Sequence, residues 1–384
     1  MIYLDNAATS FPKPPEVTAA MRHYADKIGA SPGRAGHRPA AAASRLVFQA
    51  RERLAALFGI ADSSRIIFTK NVTEALNLVL FGLLEAGDRV LVTGLEHNAV
   101  MRPLRRLEKS RGITVDILPM TTAGQPDPAV LENWLTSRRY AFAVLNHGSN
   151  VTGSLLDLAA IVPRLRRERI TVVVDGAQTA GALPLEVEKI GLDVFCFTGH
   201  KSLLGPQGTG GFYLRPGLQP RPLIYGGTGS RSEAEEQPEF LPDYYESGTP
   251  NTIGLAGLAA AAAFIERESP AAIHQRELHL VRRLEEGLAA IPGLTVHGPP
   301  PAAGDRLPVL SCTIANLSPS EIGLQLERRH GILVRVGLHC APRAHRTIGT
   351  FPTGTVRLAP GYFNTMAEME TVVAALADIA AAAG

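Results

Sequence analysis

The sequence predicts an α/β protein, with a mainly parallel sheet in a large domain and a smaller α+β domain beside it. Three observations predict it. Short runs rich in Val, Ile and Phe recur through the first two thirds of the chain without polar alternation, as strands buried on both faces do. Amphipathic stretches separate them, giving the β-α-β rhythm of a parallel sheet covered by helices. After about residue 255 the rhythm changes to longer helices and sparse strands. The expected division is therefore 14–255 for the large domain, and 1–13 with 256–384 for the small one.

Apolar strands are predicted at 66–69, 89–92, 141–145, 170–174, 193–197 and 211–214, with amphipathic helices at 100–110 and 157–167. The stretch 226–250 is rich in Gly and Glu and poorly patterned, so it reads as a long loop, and loops of that length are usually functional. Beyond it come an Ala-rich buried helix near 255–265, a helix at 271–291, a strand at 309–314, a helix at 318–330 and strand-like 333–336. A strand at 355–358 and a helix from Met366 close the chain.

The 38 Lys and Arg nearly balance the 36 Asp and Glu, which leaves no basic excess for broad nucleic-acid or membrane-surface binding. No apolar stretch reaches spanning length, and no secretory signal opens the chain. The three cysteines, Cys196, Cys312 and Cys340, form neither a disulfide framework nor a metal cluster, and a reduced cytoplasmic setting is expected.

In parallel sheets ligands bind at the carboxyl ends of strands, so residues just past the apolar runs are the candidates. Asp175 closes one such run, either as a helix cap or as a carboxylate aimed into a site. Lys201 follows the next, in Thr198-Gly199-His200-Lys201, where desolvation would make its amine a nucleophile. An Asp and a Lys on successive strand ends suit pyridoxal phosphate (PLP), whose aldehyde needs an amine and whose ring nitrogen needs a carboxylate. The turn before Val72 and Thr73 is either an anion site or a Thr-capped helix start. His97 and Asn150 also follow strands, the first as a stacking or structural ring, the second as a source of an amide.

Taken in order, from Tyr3-Leu4-Asp5-Asn6-Ala7-Ala8-Thr9 to Thr355-Val356-Arg357-Leu358-Ala359, these motifs resemble the class V aminotransferases. These are PLP-dependent enzymes of fold type I, the fold of aspartate aminotransferase. Within the group the chain is most similar to the cysteine desulfurases. The resemblance implies that Lys201 carries the cofactor as a Schiff base, with Asp175 paired to the pyridine nitrogen and His97 stacked on the ring. It implies that Asn150 and Gln178 meet the ring hydroxyl, while Thr73, Thr198 and His200 hold the phosphate. Val72 stands where the desulfurases often have a second Thr, so backbone N–H groups would replace that hydroxyl. Thr249, in Tyr245-Glu246-Ser247-Gly248-Thr249, matches the segment that reaches the partner subunit's phosphate, which implies a homodimer.

Cys196 and Cys312 sit inside apolar runs, the setting of structural cysteines. Cys340 lies instead in a polar loop with Arg343, His345 and Arg346 as basic neighbours, the setting of a reactive one. The resemblance makes Cys340 the acceptor of sulfur from L-cysteine as a persulfide, and Arg357 the fork that binds the substrate carboxylate. It adds Arg34 and His37 as further substrate contacts. Lys201, Cys340 and His97 form the expected catalytic set. The short interval from Cys340 to Arg357 resembles the short-loop branch, near the Suf-type enzymes and selenocysteine lyases, and implies a sulfur-acceptor protein at the mouth. Three other readings stay open. One is a selenocysteine lyase, the next a class V transaminase or epimerase in which Cys340 is dispensable, the last a PLP-fold scaffold without catalysis.

Overall fold

The computed structural model describes residues 1–33, 36–299 and 306–383. Thirteen strands are numbered in chain order among the described residues. They are β1 (Ile2–Tyr3), β2 (Ile66–Thr69), β3 (Arg89–Thr93), β4 (Thr114–Leu118), β5 (Phe142–Asn146), β6 (Thr171–Asp175) and β7 (Val194–Thr198). The rest are β8 (Gly210–Leu214), β9 (Leu294–His297), β10 (Leu310–Ile314), β11 (Ile332–Leu333), β12 (Arg335–Gly337) and β13 (Thr355–Leu358).

Seven of them form one sheet in the order β2-β8-β7-β6-β5-β3-β4. Only β8 runs against its neighbours. Successive residues of its strands feed two different cores. Leu91, Leu145, Val174, Phe195 and Phe197 pack on one face. Val90, Val92, Val144, Val173 and Cys196 pack on the other. That double burial is why the runs carry no polar alternation. Phe58 fills the first face by meeting Phe195 and Phe197, each at a centroid distance of 5.3 Å.

A four-stranded antiparallel sheet, β12-β13-β10-β9, carries the third core under the helices Pro270–Ala289 and Met366–Ala381. The strand-like run 333–336 is divided at Val334: β11 pairs in parallel with β1, while β12 joins β13. Strands β4 and β9, and the helices Pro15–His23, Arg38–Leu57 and Pro128–Ser137, add to the elements expected from sequence. Their outward positions are polar or half-buried, which dilutes the apolar pattern. Cys340 does not open a plain loop, because the short helix Pro342–Thr347 follows it.

The stretch 226–250 has no strand or α-helix and is pinned by a largely buried ion pair. Arg51 forks onto both oxygens of Glu246 at 2.8 Å, and Glu246 Oε1 also accepts from the Phe68 N–H of β2 at 2.7 Å. The same guanidinium donates to the Ile66 carbonyl. Thr249 is thus tied to the end of β2 through its own loop. Glu246→Ala strands the Arg51 charge and is expected to cost about 3 kcal/mol, read as a lower urea midpoint in equilibrium unfolding; an unchanged midpoint would show that the pair does not anchor the loop.

Candidate active site

The carboxyl ends of β2, β3, β5, β6 and β7 come together with the start of β8. Asp175, the last residue of β6, is 3% exposed, and its Oδ1 accepts from the Ala177 N–H at 2.9 Å. Burial raises its pKa, and the charge of Lys201 opposes that rise. Lys201 follows β7 in a turn. Burial lowers its pKa to about 8 against the pull of Asp175, and Arg357, Arg335 and Cys340 also act on it electrostatically. These five groups therefore share one electrostatic neighbourhood.

The N-terminal segment fixes the peptide that precedes Lys201. The His200 carbonyl accepts from Ser10 N (3.0 Å), Thr9 Oγ1 (3.1 Å), Lys13 Nζ (2.9 Å) and Ser10 Oγ (3.3 Å). The His200 ring is held neutral, its pKa lowered to about 4 by burial, and its buried Nδ1 has no protein partner. Thr198 closes β7 fully buried, with its hydroxyl 3.5 Å from the Thr209 carbonyl.

His97 caps the helix Asn98–Arg111 by accepting from Ala99 N–H at 3.0 Å. Burial, then the charge of Lys201, lowers its pKa to about 3, so it presents a neutral ring. Gln178 donates to the Ala7 carbonyl at 3.0 Å. Asn150 donates to the His339 carbonyl at 2.8 Å, and its buried Oδ1 is left without a partner. The helix Val72–Leu83 starts at the end of β2 and is capped by Asn71, not by Thr73. Val72 is buried and Thr73 exposed at its first turn, where N–H groups are free for an anion.

Thr249 is exposed and lines a separate groove of about 330 Å³ with Phe68, Thr69, Lys70 and Gly208. That groove includes none of Lys201, Asp175 or His97. His37 is exposed and spends its Nδ1 on the Ala40 N–H at 3.2 Å, capping the helix Arg38–Leu57. Arg34 lies outside the described residues.

Cys340 is the exposed cysteine, whereas Cys196 and Cys312 are buried with thiol pKa values pushed up by burial, Cys312 to about 12. His339 and Cys340 both take left-handed backbone, φ 48° and 57°, a strained turn for residues with a Cβ. The Cys340 carbonyl accepts from Asn98 N–H at 2.8 Å. His345 is no positive neighbour of the thiol: it is fully buried, bonded to Thr350 at 2.7 Å, and its pKa is lowered to about 4. Arg343 and Arg346 line a groove on the helix that follows Cys340. Arg357 is 2% exposed, donates to Asp5 Oδ1 at 2.5 Å and to the Asn150 carbonyl at 3.1 Å, and keeps a buried, unpartnered Nε.

Several of these contacts escaped the sequence. Arg335 sits opposite Arg357 across β12 and β13. Asp5 is the counter-ion of Arg357. Glu96 is fully buried: its Oε1 accepts from Thr93 N–H, Thr93 Oγ1 and Asn146 N–H at 3.2, 2.7 and 2.9 Å, and Oε2 has no partner. It clips the end of β3 to the end of β5 just before His97. Its place in Gly94-Leu95-Glu96-His97-Asn98 was the available signal. Among the described residues no cluster could hold a metal ion, and no helix is long and apolar enough to cross a membrane.

A phosphorylated pyridine aldehyde needs an amine, a carboxylate, a flat neutral face and an anion cradle. Lys201, Asp175, His97 and the first turn of Val72–Leu83 offer these, and Asn150 Oδ1 and His200 Nδ1 are polar atoms left over for it. The residues present fit the group.

The family model for class-V aminotransferases matches residues 2–372. The chain belongs to this family. It is 33% identical to a probable cysteine desulfurase of Methanothermobacter thermautotrophicus, over 99% of this chain and 94% of the other. A cysteine desulfurase of Synechococcus elongatus is 31% identical over 99% of this chain and 60% of its own length. The apo cysteine desulfurase of Thermococcus onnurineus superposes with a TM-score of 0.92 at 30% identity, covering 99% and 95% of the two chains. A cysteine desulfurase of Escherichia coli gives 0.87 at 28% identity, covering 99% and 94%.

Two outcomes follow from the site. In the cofactor-free chain, acylation of Lys201 by a small amine-reactive reagent, followed by mass spectrometry against pH, should show a midpoint near 8 instead of the ordinary lysine value of 10.5. Asp175→Asn removes the charge that raises this value, so its midpoint should move lower still. Glu96 has its folded pKa raised to about 8 by burial, against 4.5 when free. Its share of stability is therefore complete below 4.5 and drains away as pH rises toward 8. Glu96→Gln should flatten the fall in urea midpoint across that window, and an unaltered slope would place the proton elsewhere.

Proposed function

We propose that the chain is a PLP-dependent cysteine desulfurase, which converts L-cysteine to L-alanine and leaves the sulfur on Cys340 as a persulfide. The observation that carries this reading is Cys340: the exposed cysteine, held on a strained turn, acts electrostatically on the same Lys201 that faces Asp175 and Arg357. A transaminase needs no thiol there.

Bound at Lys201, PLP supplies an electron sink for a carbanion at the substrate Cα. Asp175 would pair its carboxylate with the ring nitrogen, an interaction that burial strengthens. The neutral His97 ring would offer a flat face to stack on the cofactor. Gln178 and Asn150 would meet its hydroxyl, while Thr73, the Val72 N–H, Thr198 and His200 would hold its phosphate. The unpartnered Nε of Arg357 takes the substrate carboxylate, beside the existing bond to Asp5. Lys201 Nζ, with its pKa near 8, removes the Cα proton and returns one. Cys340 Sγ attacks the substrate sulfur. A sulfur–sulfur bond forms as the carbon–sulfur bond breaks, the electron pair goes to carbon, and a proton completes the methyl group of alanine.

The exposed Thr249 groove and the neighbouring Leu223, Ile224 and Tyr225, exposed by 46, 49 and 66%, support a homodimer in which this loop meets the partner's phosphate. Three free cysteines suit a reducing cytoplasm.

Cys340→Ala should keep the cofactor's visible absorbance and lose alanine formation from L-cysteine by more than about 10³-fold, measured with excess dithiothreitol. Full activity in that variant would sink the assignment. Parallel turnover of L-selenocysteine, with and without Cys340, separates a desulfurase from a selenocysteine lyase.

A further inference from the structure

Two helices wall an open groove of about 510 Å³ beside Cys340. One is Asn98–Arg111, the other the short Pro342–Thr347. Six cations line it: Arg102, Arg105, Arg106, Lys109, Arg343 and Arg346. Met101 and Pro342 give it an apolar floor. The chain as a whole carries a net charge of only +2, so this is a local concentration. The acid that meets it is Glu108, bonded to Arg105. Among the described residues no ion pair reaches Arg102, Arg106, Lys109, Arg343 or Arg346. Arg343 is crowded by the charges of Arg105 and Arg346, and Arg346 lies 3.7 Å over the Phe351 ring.

The groove is built onto the cysteine. The Cys340 carbonyl docks on Asn98 N–H, the first residue of one wall. The other wall begins two residues after Cys340, and its Thr347 hydroxyl donates to the Gly94 carbonyl at 3.0 Å. Along the longer helix the cations run from 102 to 109, a rise of roughly 10 Å at 1.5 Å per residue. That is longer than one phosphate or carboxylate and suits an extended segment bearing several carboxylates.

The geometry points to a docking surface for an acidic segment of the protein that takes sulfur from Cys340. The inference rests on the persulfide reading above. The partner's thiolate attacks the terminal sulfur of the Cys340 persulfide. A new sulfur–sulfur bond forms on the partner, the old one breaks, and its electron pair returns to Cys340 as thiolate. No external oxidant or reductant is needed. The groove sets the chemistry of the partner, acidic around its cysteine, and raises its encounter rate at low salt.

The test uses holoenzyme and synthetic peptides with a single cysteine beside a run of glutamates, or of glutamines in their place. Binding is read by fluorescence anisotropy without substrate, on versions with serine for cysteine. Sulfur transfer is read as alanine release with the peptide as sole thiol. The glutamate peptide should bind at least about tenfold tighter, lose that advantage in high salt, and drive faster release. Arg106→Glu with Lys109→Glu should erase the preference while release with dithiothreitol stays at the wild-type rate. Equal binding of the two peptides, or a preference that survives the double variant, overturns the proposal. So does tight binding of tripolyphosphate without binding of the peptide, which would mark a small-anion site. A gain in peptide affinity on replacing Glu233, Glu235 and Glu236 by Gln also overturns it, because a second copy of this chain would then be filling the groove. Failure of wild-type enzyme to release alanine with dithiothreitol would strike the desulfurase reading alone, since peptide binding is measured without turnover.

Discussion

One constraint organises the molecule: a carboxylate and an amine, Asp175 at the end of one strand and Lys201 in the turn after its parallel neighbour, share a largely buried neighbourhood. Neither group is at ease there. Burial pushes the carboxyl up and the amine down, and each partly offsets the other's penalty. Such a pair persists only where the surrounding structure is rigid enough to prevent escape to solvent. The seven-stranded sheet supplies that rigidity, because its strands are packed on both faces. The result is an amine whose pKa falls to about 8, so the unprotonated state required to bond an aldehyde or to take a proton is reached far more easily near neutral pH than by an ordinary lysine.

The local supports of Lys201 follow from the same need. A carbonyl that accepts four donors is an expensive arrangement, and it fixes the peptide immediately before the reactive residue. Those donors come from residues 9–13, so the first turn of the chain acts as a brace for a residue far along it. Glu96 does a similar job for His97. It holds the ends of β3 and β5 together through three accepted hydrogen bonds, and it can stay uncharged in a buried place because burial keeps its proton on.

Much of this was legible in the sequence, and the limits have physical causes. The parallel strands showed because burial on both faces leaves unbroken apolar runs. Asp175 and Lys201 showed because they close such runs. Strand β9 and the helix Arg38–Leu57 did not, since one side of each meets solvent and dilutes the pattern. Residue type also hides role. His345 reads as a basic neighbour of Cys340, yet burial makes it a neutral spacer. Asp5 and Arg335 matter through pairings across hundreds of positions or between strands, and no local spacing encodes those.

The cysteine illustrates how the two sheets are made to depend on one another. Its turn is strained, so something must hold it. Asn150, in the turn after β5, donates to the His339 carbonyl, and Arg357 of β13 reaches back to the Asn150 carbonyl. A second path runs from the His339 ring to Thr355, from Thr355 to Ser311, and from Ser311 to the Val151 carbonyl. A carbonyl can only accept, so Ser311 donates to Val151 and Thr355 donates to Ser311. The His339 Nε2 must then donate to Thr355, which fixes the neutral tautomer with a bare Nδ1, the atom found buried and unpartnered. Protonating His339 would put a charge beside Arg357 and Arg335, and burial with their repulsion holds its pKa well below the usual range. The turn that presents Cys340 is therefore locked by two hydrogen-bonded paths that cross between the sheets, one through the Arg357 guanidinium and one through a neutral His339 ring.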